Sequence, residues 1–312
     1  MLSRHAEGLF WLGRYIERAG DTTRMLDVAY NTQLEQVASA QEQVWRDLLR
    51  VLYLEDAFAE RFGDEVTTVT MNRFLVFDLE NPASVAASVR EARSNVMNVR
   101  DAVPKELLET VNRLHTRLVG GSLTGYVANP HEMYEAIGEH CRAISGAVTD
   151  AMSRDDLYRF LMLGRWLERA EMTGRMIDVN RETGDATTWL GVLRSLSGFH
   201  AFTRAHGPLA PADEVVRFLL QESSFPFSVL HCLQRAGAMA TAVSGTGNWR
   251  SPRVLGRVAA EVDYADVPPV GSQQLAELLE SLEEGIRSVS EALHRDLYQL
   301  GGEPAIYSFE AL

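Results

Sequence analysis

Cysteine and lysine are both rare in this chain of 312 residues. The two cysteines, Cys141 and Cys232, are too few for a disulfide framework or a four-cysteine zinc site. Because a chain of this length can bury a large core without disulfides, the composition favours a reducing compartment. The single lysine, Lys105, stands beside 29 arginines. Chemistry that needs a lysine, such as a Schiff base or a phosphate-binding loop, therefore has one candidate residue.

Long apolar runs and an excess of basic charge are also lacking. The early apolar run Leu9–Leu12 is too short for a signal peptide, and no stretch approaches the roughly 18 apolar residues that a membrane span needs. The formal net charge is −13 and the sequence pI is about 5.1. This charge argues against duplex nucleic acid and anionic membranes as partners. We therefore expect a cytoplasmic protein that binds neither nucleic acid nor membrane.

The pattern that is present is helical. Apolar residues recur at steps of three and four from Leu9 to Leu26, which is typical of one face of an amphipathic helix. Strand-like alternation is scarce, and its best example, Val66 to Val69, is short. The sequence therefore predicts an all-α fold, a helical bundle. The predicted helices span residues 6–35, 40–62, 70–79, 82–102, 104–119, 130–152, 155–181, 187–203, 212–221, 226–243, 252–264 and 272–299.

The first helical segment recurs later in the chain. Residues 9–28 align without gaps on residues 160–179, at an offset of 151, and 11 of the 20 positions are identical. A weaker match, at an offset of 144, joins Phe74-Leu75 to Phe218-Leu219. We therefore predict an internal tandem duplication with about six helices in each repeat. The predicted parts are repeat one over residues 1–152, repeat two over residues 153–301 and a C-terminal tail over residues 302–312.

The repeated motif resembles that of a known family. The start Met1-Leu-Ser-Arg4, the run Trp11-Leu-Gly-Arg-Tyr-Ile-Glu-Arg-Ala19 and its copy Leu163-Gly-Arg-Trp-Leu-Glu-Arg-Ala-Glu171 look like the bacterial alpha-E proteins. That family is described as a helical domain with a Glu-Arg motif, often duplicated in tandem. The resemblance covers essentially the whole chain and implies a single alpha-E unit over residues 1–312. One departure is Gly20, which stands in the first copy where the second has Glu171.

The resemblance also implies a cellular context. Alpha-E proteins are typically encoded beside circularly permuted ATP-grasp ligases and transglutaminase-like proteases, and they are assigned to a predicted peptide synthesis or modification system. The implied partner is an ATP-grasp ligase, a transglutaminase-like protein or a peptide, and no catalytic residue comes with the resemblance. We therefore expect a non-catalytic helical accessory protein without a cofactor.

Two alternative functions stay open. The first is an enzyme of the same system, in which the Arg and Glu side chains of the motif act in ligation or group transfer. The second is a metal-binding bundle, because Glu291 and His294 have the spacing of one half of a di-iron site. A di-iron site needs a second such pair, which the sequence lacks, so we expect no metal.

The charged residues of the motif are the main candidate site. Arg14, Glu17 and Arg18 are spaced to share one helix face, which could simply be solvated. The recurrence of the pattern favours the interior instead, with Glu17 paired to Arg169 and Glu168 to Arg18 across the two copies, and with Gly13 and Gly164 allowing a close approach. The candidate site residues are Gly13, Arg14, Glu17, Arg18, Arg24, Asp27, Gly164, Arg165, Glu168, Arg169, Arg175 and Asp178.

Two other segments are candidates for binding. Trp249 and Arg250 follow a glycine-rich turn, and an aromatic residue beside an arginine on a loop suits a binding surface, although such a segment is more often only a connector. The C-terminal tail carries Ile306, Tyr307 and Phe309 beyond the last predicted helix. We expect these apolar residues to dock into a groove on this protein or a partner.

Overall fold

A computed structural model describes residues 3–120, 129–207 and 210–301 of the chain. Over these ranges the protein is helical, with no strand, so the predicted all-α fold is confirmed there. No helix in the described ranges has the length and apolar character needed to cross a membrane. The predicted docking of the C-terminal tail concerns residues outside the described ranges.

The described residues contain fourteen α-helices and one π-helix. Up to Ala151 these are α1 (Ser3–Glu35), α2 (Ala38–Val51), α3 (Glu55–Phe62), α4 (Thr68–Asn72), the π-helix Arg73–Phe77, α5 (Val85–Asn98), α6 (Lys105–Gly120) and α7 (Pro130–Ala151). The rest are α8 (Asp156–Asn180), α9 (Ala186–Ser195), α10 (Phe199–His206), α11 (Ala212–Gln221), α12 (Val229–Ser244), α13 (Ser251–Asp263) and α14 (Gln273–Gly301).

Two predicted helices are each broken in two. The helices predicted over 40–62 and 187–203 are interrupted at Tyr53 and Ser197, which have φ values of 55° and 56°. At each break two backbone N–H groups turn back onto the preceding helix, as in a Schellman motif. The prediction missed both breaks because neither position holds a glycine, the residue that usually adopts this conformation. The two breaks are 144 residues apart.

The helices predicted to begin at Pro82 and Pro226 begin three residues later. The Ser84 side chain accepts a hydrogen bond from the backbone of α5, and the Ser228 side chain does the same for α12. Each serine hydroxyl also donates to a backbone carbonyl six residues earlier, at 2.5 and 2.6 Å. These serines satisfy the first orphan N–H groups of their helices and therefore set the true starting points.

The chain divides into two compact units. One comprises the chain up to Arg14 together with the chain from Ser153 onward, and the other comprises Tyr15–Met152. Helix α1 is continuous across the division at Arg14. In the first unit α8 packs against α12, α12 against α13, and α13 against α14. This packing places α8, which carries one copy of the motif, in the core.

In the second unit α6 packs against α5 and α7. Two side-chain hydrogen bonds join its helices in the interior. The indole of Trp45 donates to the side-chain oxygen of Gln33 at 2.8 Å, and the hydroxyl of Tyr134 donates to Asn72 at 2.5 Å. Burial raises the pKa of Tyr134, so this hydroxyl keeps its proton and remains a donor.

Candidate functional site

The two motif glycines bring two helix backbones into direct contact. A Cβ atom added to Gly13 of α1 would lie 2.0 Å from the carbonyl oxygen of Leu161, and one added to Gly164 of α8 would lie 1.9 Å from that of Phe10. Phe10 and Leu161 stand at the same distance before their glycines, so the contact is reciprocal. The close approach predicted for these glycines is therefore present.

Arg14 lies beside this contact and is almost fully buried, with 1% of its side chain exposed. Its Nε atom is 2.8 Å from Oε2 of Glu168, in the geometry of an ion pair rather than of an aligned hydrogen bond. Its Nη2 atom donates to Oε2 of Glu171 at 2.8 Å. Glu171 in turn accepts from Arg175 through its other oxygen. We call these four side chains, Arg14, Glu168, Glu171 and Arg175, the ionic cluster.

The ionic cluster is balanced, since it contains two positive and two negative side chains. The guanidinium carbon of Arg14 also lies 6.0 and 5.9 Å from the ring centroids of Phe10 and Trp11, within the range of a cation–π contact. Charges that are paired in this way can be buried without the full cost of desolvating a lone ion. The arrangement therefore suits a structural contact between α1 and α8.

Arg169, in the same unit, contacts the loop that precedes α12. Its Nη1 atom donates to the carbonyl of Pro226 at 3.1 Å, and its guanidinium lies 3.9 Å from the ring centroid of Phe227. The Thr173 hydroxyl donates to the carbonyl of Phe227 at 2.8 Å. Both side chains therefore hold the loop that precedes α12 against α8.

The pairs predicted between the copies, Glu17 with Arg169 and Glu168 with Arg18, stay predictions. Within its own unit Glu168 binds Arg14, a partner that the pairing hypothesis did not include. Glu17 is buried, as the interior alternative requires, whereas Arg18 is half-buried with its guanidinium 5.8 Å from the ring centroid of Tyr15.

Three of the other motif charges contact residues of their own unit. Arg24 pairs with Asp21, one helical turn away, and Arg165 is half-buried. Asp178 accepts from Arg181 at 2.8 Å. Asp27 lies 2.6 Å from Nδ1 of His131. Hydrogen bonding to Asp27 and the charge of that carboxylate raise the pKa of His131.

The Trp249–Arg250 segment leads into α13. The ring of Trp249 lies 6.2 Å from that of Phe160, and the backbone N–H groups of Arg250 and Ser251 donate to the two carboxylate oxygens of Asp296 at 3.0 and 2.8 Å. The buried Asp296 therefore caps α13 from the last helix, which sequence analysis did not anticipate.

A cavity of about 480 Å³ adjoins this segment. It is lined by Asn248, Arg250, Arg253, Val254 and Arg257. Arg250 was predicted from the sequence, whereas Arg253 and Arg257 were not. Their spacing of three and seven residues from Arg250 was a signal for a shared helix face.

Reactive and metal-ligating groups are poorly placed for chemistry. Cys141 is buried, and burial raises its pKa to about 12, so its thiol is inert near neutral pH. Cys232 is buried with its Sγ 3.4 Å from the carbonyl of Pro226. Glu291 lies on an exposed face and pairs with Arg295 at 3.0 Å. Within the described ranges, no group of three or more His, Cys, Asp or Glu side chains could hold a metal ion.

The chain matches a known protein family. The model of the Alpha-E family, a predicted alpha-helical domain with a conserved ER motif, matches residues 1–297. Comparisons with curated proteins and with solved structures found no match.

Proposed function

The chain belongs to the Alpha-E family, and on that premise we propose that it is a helical accessory protein of a peptide synthesis or modification system. Its task is to bind a partner protein, an ATP-grasp ligase or a transglutaminase-like protein, or the peptide on which they act. The observation that carries this proposal is the burial of Arg14 and Glu168 within the ionic cluster, whose charges bind one another. Because these motif charges pair with one another, we assign the motif to the stability of the fold and the binding function to the protein surface.

The same observation weighs against the enzymatic alternative. A general base or an arginine clamp must reach the reacting atoms of its substrate. Arg14 is 1% exposed, and the nearest carboxylates already bind it. To admit a substrate, the cluster would have to break its ion pairs and leave several charges without their present partners. That free-energy cost does not arise at an accessible site.

We also propose that the chain is an internal duplication, with repeat one over residues 1–152, repeat two over residues 153–301 and a tail from residue 302. Helix boundaries support this proposal, since α3 and α10 differ by 144 residues at both ends, as do the breaks at Tyr53 and Ser197. The reciprocal contact of Gly13 and Gly164 supports it as well. The described residues hold seven α-helices on each side of Met152 rather than six, because one predicted helix in each half is broken.

Affinity purification from the native bacterial host tests the accessory function. A tagged full-length chain should retain an ATP-grasp ligase or a transglutaminase-like protein, and the purified chain alone should hydrolyse no ATP and modify no peptide. Turnover of ATP or a peptide by the chain alone would overturn the proposal and favour the enzymatic alternative. Recovery of the chain without either protein, under conditions that preserve other complexes, would also count against it.

A further inference from the structure

The cavity beside α13 is strongly basic. Three of its five lining residues are arginines, Arg250, Arg253 and Arg257, and all three are exposed. They stand at positions i, i+3 and i+7, so they occupy one face of the first two turns of the helix. Such a concentration of positive charge is unusual in a chain with a formal net charge of −13.

The arginines are only partly neutralised by the protein. Arg257 lies 3.6 Å from Glu261, and Arg253 donates to the neutral side chain of Asn248 at 2.7 Å. Arg250 forms no ion pair with any residue in the described ranges. Asp296 also faces this end of α13, but both of its carboxylate oxygens accept backbone N–H groups there. Among the described residues, the guanidinium groups of Arg250 and Arg253 therefore form no ion pair with a carboxylate.

Guanidinium groups present a planar fork of donors that matches the oxygens of phosphate, and several forks around one cavity match several phosphate oxygens. A cavity of about 480 Å³ lies in the range that small ligands occupy. We propose that Arg250, Arg253 and Arg257 form a binding site for the oligophosphate group of a small molecule. This site is separate from the ionic cluster and does not depend on the proposed partner protein.

Calorimetric titration of the full-length protein with tripolyphosphate, at a constant ionic strength of about 0.15 M, tests the proposal. The test variant combines Arg250→Gln, Arg253→Gln and Arg257→Gln. The matched control combines Arg100→Gln, Arg287→Gln and Arg295→Gln, which removes the same charge from three other exposed arginines. Because all six side chains lie at the surface, both variants should keep the helical circular dichroism and melting temperature of the wild type.

Tripolyphosphate should bind the wild type and the control variant equally, and the test variant should bind at least about tenfold more weakly. Citrate, a compact anion without phosphate, should bind the wild type more weakly than tripolyphosphate does. No binding to the wild type at millimolar tripolyphosphate would overturn the proposal, as would an equal loss in the control variant. Equal binding of citrate would show that the site selects charge alone and would overturn its assignment to phosphate.

Discussion

Alanine at Gly13 or Gly164 should destabilise the protein, although alanine is the better helix former. The added methyl group would lie 2.0 or 1.9 Å from a carbonyl oxygen, whereas side-chain carbons essentially never come closer than 3.0 Å. The two helices must therefore separate locally by about 1 Å, because a backbone oxygen cannot rotate away. Overpacking of this kind costs about 1–3 kcal/mol or more. The gain in helix propensity, about 0.5–1 kcal/mol, offsets only part of that cost.

Gly146 in α7 provides the matched control. A Cβ atom at this position has no neighbour within 4 Å, so Gly146→Ala should raise the free energy of unfolding by about 0.5–1 kcal/mol. The same substitution is therefore expected to raise the free energy of unfolding at Gly146 and to lower it at Gly13 and Gly164. Gly13→Ala and Gly164→Ala should also be coupled, because the separation that one methyl group forces makes room for the other. The double variant should lose less stability than the two single losses added together.

Urea denaturation followed by tryptophan fluorescence measures the effects of Gly13→Ala and Gly164→Ala, and far-ultraviolet circular dichroism measures that of Gly146→Ala, which lies in the other unit. Four of the five tryptophans belong to the unit that contains both glycines, and only Trp45 belongs to the other. Far-ultraviolet circular dichroism shows whether the two units unfold in one transition or two, which decides how the curves are fitted. Wild-type or higher stability of Gly13→Ala would refute the close approach of α1 and α8.

Three further changes should have measurable effects. Arg14→Met removes the arginine that pairs with the buried Glu168, although Glu171 keeps Arg175, and it should cost about 3–5 kcal/mol in urea denaturation. Arg295→Met on an exposed face should cost about 0.5 kcal/mol or less. Asp296→Asn removes the carboxylate that caps α13 and should lower the free energy of unfolding by about 0.5–2 kcal/mol, with an unchanged midpoint counting against the cap. His131 has a pKa raised by its hydrogen bond to Asp27, so its contribution to stability is complete below about pH 6.5 and is lost as the pH rises through the folded-state pKa. His131→Asn should flatten that part of the pH profile of the urea midpoint, and an identical profile would exclude the contribution.

Helix positions were predictable from the sequence where local signals set them. The helix predicted over 212–221 matches α11 at both ends, and those predicted over 130–152 and 155–181 match α7 and α8 within one residue. Asn129 and Asp155 cap the last two through their side chains, and a cap is a local signal that the sequence contains. The breaks at Tyr53 and Ser197 were not predictable, because these residue types rarely adopt the left-handed conformation that they have there.

The candidate site was predictable only in part, for a related reason. The same glycine recurs in both copies of the motif, as Gly13 and Gly164. This repetition indicated that a side chain is excluded at both positions, as in a close contact between helices. The choice of Glu171 as a partner of Arg14 depends on which turn of α8 lies opposite that arginine. That register is decided by the packing of whole helices, so no spacing within the chain reveals it.

The asymmetry between the copies explains why the shared motif does not by itself define the ionic cluster. Glu171 bridges Arg14 and Arg175, whereas the equivalent first-copy position is Gly20, which cannot supply a carboxylate. Space is not the reason, because a Cβ atom at Gly20 would meet only Cys141, at an ordinary contact distance of 3.6 Å. The two copies therefore share the glycine contact and the motif charges but differ in the residue that completes the cluster. Since Glu171 of the second copy is the residue that pairs with Arg14, the ionic cluster does not need a carboxylate at Gly20 of the first copy.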